Sequence, residues 1–352
     1  MKLILVENLE SGMKIARTIY GKNGQVLLSA GMKIKKSYIN QLKGLNIKEV
    51  YIVDENFPDL QVPEPISDKT RTEAIKTVKK TMESIKNGAN IDYEEVSQVV
   101  DSILDELLLQ NNVIIHLNDI RGYDDYTFKH SVGVTIISIL IALDTGFTLD
   151  EVKKIALGAF LHDIGKIKIN KDIIMKPGKL NDEEYEIVKK HSKYGYDIIR
   201  KQKRINVLSA HVAYQHHEYL DGSGYPRGLK GDEILKWAQI VTVADIYDAL
   251  TSDRVYKKML MPYEALKIID ELKGTKLNPE YVAALFKHIA AYPVGTIVKL
   301  NNEEEGMVVD VNKEDLSSPI IRLIKDSNGE VITEIKEVDL VHNKSLKIVK
   351  TI

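Results

Sequence analysis

The chain has 352 residues, 44% hydrophobic and 28% charged, with a formal net charge of -2 and no cysteine. Such a composition is ordinary for a globular protein of two or three domains, and its near-neutral balance removes any bulk electrostatic case for a nucleic-acid polymer or a membrane surface. The lack of cysteine excludes disulfides and thiolate metal ligation and agrees with a reducing cytoplasm, and the opening MKLILVENLESGMKI lacks the apolar core of a secretion signal, so a cytoplasmic protein is expected.

Residues 1–62 carry short β-rich runs, Lys2–Val6, Lys14–Tyr20, Gln25–Leu28 and Glu49–Val53, with glycine-containing turns and a helical stretch at Lys36–Leu45. They predict a small α/β module, whose role as a sensor, a dimerisation surface or a passive spacer no residue in it decides. Pro58, Pro63 and Pro65 crowd a short acidic segment, so residues 63–92 read as a linker and a charged helix that Ser67-Asp68 caps and that runs to about Asn87. From Tyr93 onward, Val96, Val99, Val100, Ile103, Leu104, Leu107 and Leu108 recur at helical spacing. That stripe must pack on a core or on a second copy, which makes a homodimer an expectation.

The helical pattern continues to about Ala291, broken at Lys176-Pro177-Gly178, Asp221–Gly228 and Asn278-Pro279, and defines a helical domain over 93–294. Its most apolar run, Val132 to Leu143, is interrupted by Gly133, Thr135 and Ser138 and is shorter than the roughly 20 residues of a bilayer span. A buried helix is expected there, with no membrane insertion. After Pro293-Val294-Gly295, alternation over Thr296–Leu300, Met307–Val311, Ile320–Ile324 and Val331–Ile335 predicts a short β extension over 295–352. The fold class is therefore mainly α, with an N-terminal α/β module and a C-terminal β extension.

Five of the nine histidines fall in one series with aspartates: His130, His162-Asp163, His191, His216-His217 and then Asp245. Imidazole and carboxylate suit first-row ions such as iron, manganese or zinc, and one carboxylate can bridge two ions, so these seven side chains suffice for a two-metal centre. On a helix, His162 and Asp163 would stand about 100° apart and flank two ions, with Asp163 as the natural bridge. Lys166, one turn after His162, would project into the same site and hold a phosphate oxygen. His216-His217 end a helical run before a glycine-rich turn, and such glycines permit close backbone approach to a ligand. Asp245 and Asp248 share a helix face, so one can bind metal while the other orients a water. His116, His211, His288 and His342 read as ordinary core or surface residues. The seven do not, because burying so many imidazoles and acids without metal leaves polar groups uncompensated.

The string His162-Asp163-Ile164-Gly165-Lys166, taken with the string from His216 to Pro226, resembles the HD-GYP family, bacterial cyclic di-GMP phosphodiesterases within the HD metal-dependent phosphohydrolase superfamily. The resemblance runs from about Tyr93 to Pro293 and includes Tyr126 to Ser131, His191 to Gly195 and Asp245 to Lys257. It implies a helical HD-type domain. It also implies one divalent ion on His130, His162, Asp163 and Asp245 and a second on Asp163, His191, His216 and His217, iron by family analogy, with manganese equally compatible. Some relatives hold a third ion through a glutamate four residues before the first histidine. Tyr126 stands there in this chain, which favours two ions.

The resemblance further implies that Lys166, Arg254 and Lys257 contact the phosphates of cyclic di-GMP, with Tyr225 and Pro226 beside the guanine-binding region. The implied reaction is attack of a metal-bridging hydroxide in line with the departing ribose 3′ oxygen, Lys166 neutralising phosphoryl charge and Asp248 relaying a proton. Its first product is linear pGpG, and a second cleavage would give GMP. Two other readings stand beside it: hydrolysis of another cyclic dinucleotide, notably 3′,3′-cyclic GMP-AMP, and a non-catalytic module that senses a dinucleotide or docks on a diguanylate cyclase through the Tyr225-Pro226 loop. Degenerate members typically lose ligands, and this chain keeps all seven, which argues against the last.

Overall fold

The computed structural model describes residues 2–21, 26–45, 47, 49–53, 57, 60, 64–110, 113–115, 126–176, 178–252 and 259–352. At the N-terminal end, β1 (Lys2–Leu5) pairs antiparallel with β4 (Glu49–Ile52), and β2 (Ile19–Tyr20) pairs with β3 (Val26–Leu28). Helix α1 (Lys36–Gly44) buries Leu42 in the same small core as Ile15, Ile34 and Val50. The strand expected over Lys14–Tyr20 is shorter than its sequence pattern. Lys14 and Ile15 instead make single bridges to two different partners, Lys33 and Ile52, and so cannot continue one ladder.

Helix α2 (Asp68–Lys86) starts where its cap predicts: the Ser67 hydroxyl accepts from the Thr70 amide, and Ser67 and Thr70 both donate to Glu106 of α3 (Tyr93–Leu108). The α3 stripe, from Val96 to Leu107, is buried in the main core, and only its end at Leu108 is exposed. The surface that would have paired two copies is therefore occupied within one chain.

Helix α4 (Tyr126–Asp144) is apolar on all sides, as a core helix must be. By length and composition its window Thr127–Asp144 would cross a membrane, but 67% of it is buried inside the protein. It outruns the apolar stretch because Ser131 and Thr135 satisfy their hydroxyls on carbonyls one turn back, at Thr127 and Ser131. Against it pack α5 (Leu149–Leu161) and, later in the chain, α10 (Lys236–Thr251) and α12 (Pro279–Phe286). Between them run α6 (Lys171–Ile174), α7 (Asp182–Lys189), α8 (His191–Ile199), α9 (Val207–Gln215) and α11 (Pro262–Leu272). Capping boxes at Thr148/Glu151 and Asn181/Glu184 start α5 and α7, and proline opens α11 and α12.

The C-terminal strands β5 (Ile297–Leu300), β6 (Glu305–Asp310), β7 (Ile320–Lys325), β8 (Glu337–Asp339) and β9 (Ile348–Thr351) form one antiparallel sheet in the order β8-β7-β6-β5-β9. The alternation over Val331–Ile335 does not make a strand. That segment lies beside β7 through Ile332 to Ile324 and Leu323 to Lys336, without a continuous register, and Val331 and Ile335 stay exposed. Residues from the end of the N-terminal module (Phe57, Leu60), the end of the helical part (Ala290, Val294) and the sheet (Met307, Val311) share one small core.

Candidate metal centre

Helix α5 stops at Leu161, with His162 as its C-cap, and Asp163 opens a tight 3-10 turn over Ile164–Lys168. The two residues thus sit at a helix end and not on a helix flank, which corrects the geometry expected from sequence. Gly165 is the physical reason. A Cβ there would lie 2.0 Å from the His191 carbonyl oxygen and 2.4 Å from the Gly195 nitrogen, so the turn touches the backbone of α8 directly. Lys166 consequently faces the residue three before it: its ammonium hydrogen-bonds Asp163 Oδ2 at 2.5 Å.

Three imidazoles are aimed the same way. His162 Nδ1 donates to Ala159 O at 2.6 Å, His191 Nδ1 to Val188 O at 2.7 Å and His216 Nδ1 to Ala213 O at 2.9 Å. Each uses a carbonyl in the last turn of a helix, where the regular i to i+4 ladder runs out. Because a carbonyl only accepts, Nδ1 carries the proton and Nε2 presents a lone pair. His130, on α4, is held by carboxylates from α10: Nδ1 lies 2.6 Å from Asp248 Oδ2 and Nε2 lies 3.0 Å from Asp245 Oδ1. His217 Nδ1 lies 3.6 Å from Asp245 Oδ2.

These seven side chains converge. His130, His162 and Asp245 form one potential ligand set and His191, His216 and His217 another, while His162, Asp163 and His216 connect them; within each set the ligand atoms lie within 4.8 Å of one another. Asp163 Oδ2 is 3.4 Å from His162 Nε2 and 3.8 Å from His130 Nε2, and Oδ1 is 3.4 Å from His191 Nε2, so its two oxygens face the two sets. His191 Nε2 and His216 Nε2, both unprotonated by the argument above, stand only 3.3 Å apart. His162 Nε2 and Asp163 Oδ1 are buried without a hydrogen bond. Opposed lone pairs and orphaned acceptors are what a cation satisfies, so the donor set fits divalent metal.

Electrostatics sharpen the picture for the metal-free protein. Burial drives His191 down to about 4, His217 to about 3 and His216 well below its ordinary value, keeping these rings neutral at pH 7. For Asp163 burial pushes upward but Lys166 and His162 prevail, and for Asp245 the bond from His130 prevails, so both are held well below the usual carboxylate range. His130 goes the other way. Burial alone would lower it, yet Asp245 and Asp248 outweigh burial and raise it to about 9. Metal at His130 must therefore release a proton, and metal affinity rises with pH.

A stability profile follows for chelator-treated protein. His130, raised in the folded state, contributes fully below about 6.5 and loses its contribution as pH climbs through about 9, on the order of 3 kcal/mol. His191 and His217, depressed, lose theirs as pH falls below about 6.5 towards 4 and 3. Thermal melting should peak near neutral pH and fall on both sides, and Asp248→Asn should flatten the alkaline limb. An alkaline limb equally steep in that variant would contradict the His130 assignment.

Asp248 reaches His130 because Gly133 leaves room: a Cβ on Gly133 would stand 2.2 Å from Asp248 Oδ1. The Ser252 hydroxyl also donates to Asp248 Oδ2, at 3.2 Å. Of the expected substrate contacts, Tyr225 lies beside the centre, its ring centroid 4.7 Å from that of His217 and 6.4 Å from that of His191. Burial raises its phenol far above the ordinary range, so it stays protonated. The Tyr225-Pro226 peptide bond is cis, and Pro226 is exposed. Arg254 and Lys257 lie outside the described residues.

Sequence reasoning gave Gly133 and Glu218 no role. The signal for Gly133 was a glycine three residues after a ligand histidine, in a helix where alanine would be more stable by about 1 kcal/mol. Glu218, 2% exposed, folds the 221–229 loop back on the centre by accepting the amides of Arg227 (2.8 Å) and Leu229 (3.0 Å), while the Tyr225 backbone amide donates to His217 O. Glu218→Ala strands those two amides and is expected to destabilise by about 2 kcal/mol in calorimetry, with Glu218→Gln recovering part of the loss. An unchanged melting temperature in the alanine variant would rule that role out.

Over its helical part the chain is similar to HD-domain proteins. The family model described as HD domain matches residues 123–281, and one described as KOW domain associated with HD domain matches 297–352. A Pseudomonas aeruginosa protein named cyclic di-GMP phosphodiesterase is 34% identical over 253 residues, 72% of this chain and 61% of its own length. A Thermotoga maritima protein of the same name is 38% identical over 218 residues, 62% of this chain and 57% of its own length. A Vibrio cholerae protein named 3′3′-cGAMP-specific phosphodiesterase 3 is 37% identical over 190 residues, 54% of this chain and 41% of its own length. The chain spans about three fifths or less of the length of these curated relatives.

Proposed function

The chain belongs to the HD-GYP family of HD-domain proteins, and on that premise we propose that it hydrolyses cyclic di-GMP to linear pGpG, with GMP as the product of a second cleavage. The observation that carries the reading is the buried shell of unprotonated donors, above all the His191 and His216 Nε2 atoms 3.3 Å apart and the orphaned His162 Nε2 and Asp163 Oδ1. One divalent ion is assigned to His130, His162, Asp163 and Asp245, and a second to Asp163, His191, His216 and His217, iron preferred and manganese accepted. When bound, such a pair lowers the pKa of a water and neutralises charge that develops on phosphoryl oxygens.

The protein's own groups divide the remaining work. Asp248 fixes the His130 ring through Nδ1 and is a positioning residue; the proton-relay role expected of it would have to share that carboxylate. Lys166, tethered at Asp163 and partly exposed, brings an ammonium to the rim where a phosphoryl oxygen would lie. Tyr225 closes the side of the centre at His217 and excludes water there. Arg254 and Lys257 are proposed phosphate contacts on the family resemblance. The exposed edge of the loop at Pro226 is the proposed contact for a diguanylate cyclase.

A second reading, hydrolysis of 3′,3′-cyclic GMP-AMP, is favoured by the Vibrio cholerae relative. Protein purified without oxygen, assayed for iron and manganese and offered both dinucleotides side by side, should turn over cyclic di-GMP. Turnover of the mixed dinucleotide alone would replace the substrate, and metal-loaded protein giving no product from either would sink the hydrolase reading.

A further inference from the structure

Helix α7 ends at Lys189, two residues before the ligand His191, and turns Tyr185 and Lys189 toward Tyr225. The Tyr185 and Tyr225 rings meet edge to face with centroids 6.3 Å apart, and Lys189 Nζ stands 5.2 Å from the first centroid and 5.8 Å from the second. From the centre outward, His217, Tyr225 and Tyr185 thus form a continuous aromatic shelf with a cation at its edge. Tyr185 is 48% exposed, and the Lys189 side chain keeps 24% exposure while also pairing with Glu186 on its own helix. A tyrosine exposed to that extent beside a buried donor cluster leaves ring surface open to a base, and a ribose is the spacer between a phosphate at that cluster and a base one ring further out.

We infer that Tyr185 and Lys189 read a purine base of the substrate, Tyr185 by stacking and Lys189 by donating to the O6 and N7 acceptors that guanine presents on one edge. Adenine offers N7 but turns an amino donor toward the ammonium at the neighbouring position, so the same lysine selects against it. The cation lying against both rings holds the shelf rigid before any base arrives. Stacking is indifferent to base identity, so the two residues have separable signatures. The inference rests on the hydrolase reading and specifies its substrate: at least one guanine, seated against α7.

The test uses the full chain loaded with manganese. By calorimetry, wild type is expected to bind pGpG about tenfold more tightly than pApA. Lys189→Met should weaken pGpG about tenfold and pApA little, erasing the preference, and Lys189→Arg should restore it. Tyr185→Ala should weaken both dinucleotides about equally, by roughly tenfold. In turnover, Lys189→Met should act on KM for cyclic di-GMP far more than on kcat, with metal content and melting temperature as in wild type. Equal affinity of wild type for pGpG and pApA, or equal losses for both in Lys189→Met, would overturn the base-reading role even if cyclic di-GMP is cleaved. Wild type that discriminates as stated but hydrolyses no dinucleotide would leave the shelf standing and remove the hydrolase reading.

Discussion

Replacing His162 and Asp163 together by alanine is expected to abolish turnover of cyclic di-GMP, a loss of at least about 10³-fold, the scale of removing a key electrostatic stabiliser. Bound manganese should fall below one ion per chain. The size of the effect comes from Asp163, whose two oxygens face the two ligand sets, and from His162, which belongs to one set and to the group that joins them. The substitution also deletes the two buried acceptors that lack hydrogen bonds, so metal-free stability should change far less than activity. Asp163→Asn, nearly the same shape but uncharged, should lose metal as well, which separates charge from packing. Full activity or full metal content in the double variant would refute the centre.

Gly165→Ala carries the second large effect. Its added methyl would meet two backbone atoms, His191 O at 2.0 Å and Gly195 N at 2.4 Å, and no rotamer change can move either. The turn and α8 must separate, which pulls Asp163 from His191. A loss of about 3 kcal/mol is expected in calorimetry, with activity down about 100-fold, the scale of an ångström misplacement. Gly133→Ala is the contrasting case. Its nearest neighbour is the Asp248 carboxylate, a side-chain end that can swing away, and alanine suits a helix better than glycine. The helix gains while His130 loses its anchor, so the melting loss should be much smaller than for Gly165→Ala, and metal binding weakens. Similar melting losses in both variants would contradict the distinction.

The seven donors were legible because ligand chemistry restricts residue type and the motifs keep neighbours together: His162 with Asp163, His216 with His217. Caps were legible for the same local reason, as at Ser67. What escaped was set by contacts distant in sequence. That His162 ends a helix depends on Gly165 meeting α8, and the value of Glu218 depends on amides nine and eleven residues later. The α3 stripe was read correctly as buried, but its partner, the core of its own chain, is a tertiary fact. In the β extension, Val331–Ile335 has the right alternation and no continuous ladder, while the short strand Ile348–Thr351 pairs with β5 despite a weak pattern. Period alone does not choose a partner.

The carbonyls that aim His162, His191 and His216 belong to the main chain of Ala159, Val188 and Ala213. Their grip survives any side-chain exchange at those positions that the interior tolerates, and no single missense change deletes it. Only fraying of the last turns of α5, α7 or α9 would set the rings free to rotate. Local melting at those three helix ends, followed by amide exchange, should therefore track the rate at which the protein surrenders its ions to a chelator.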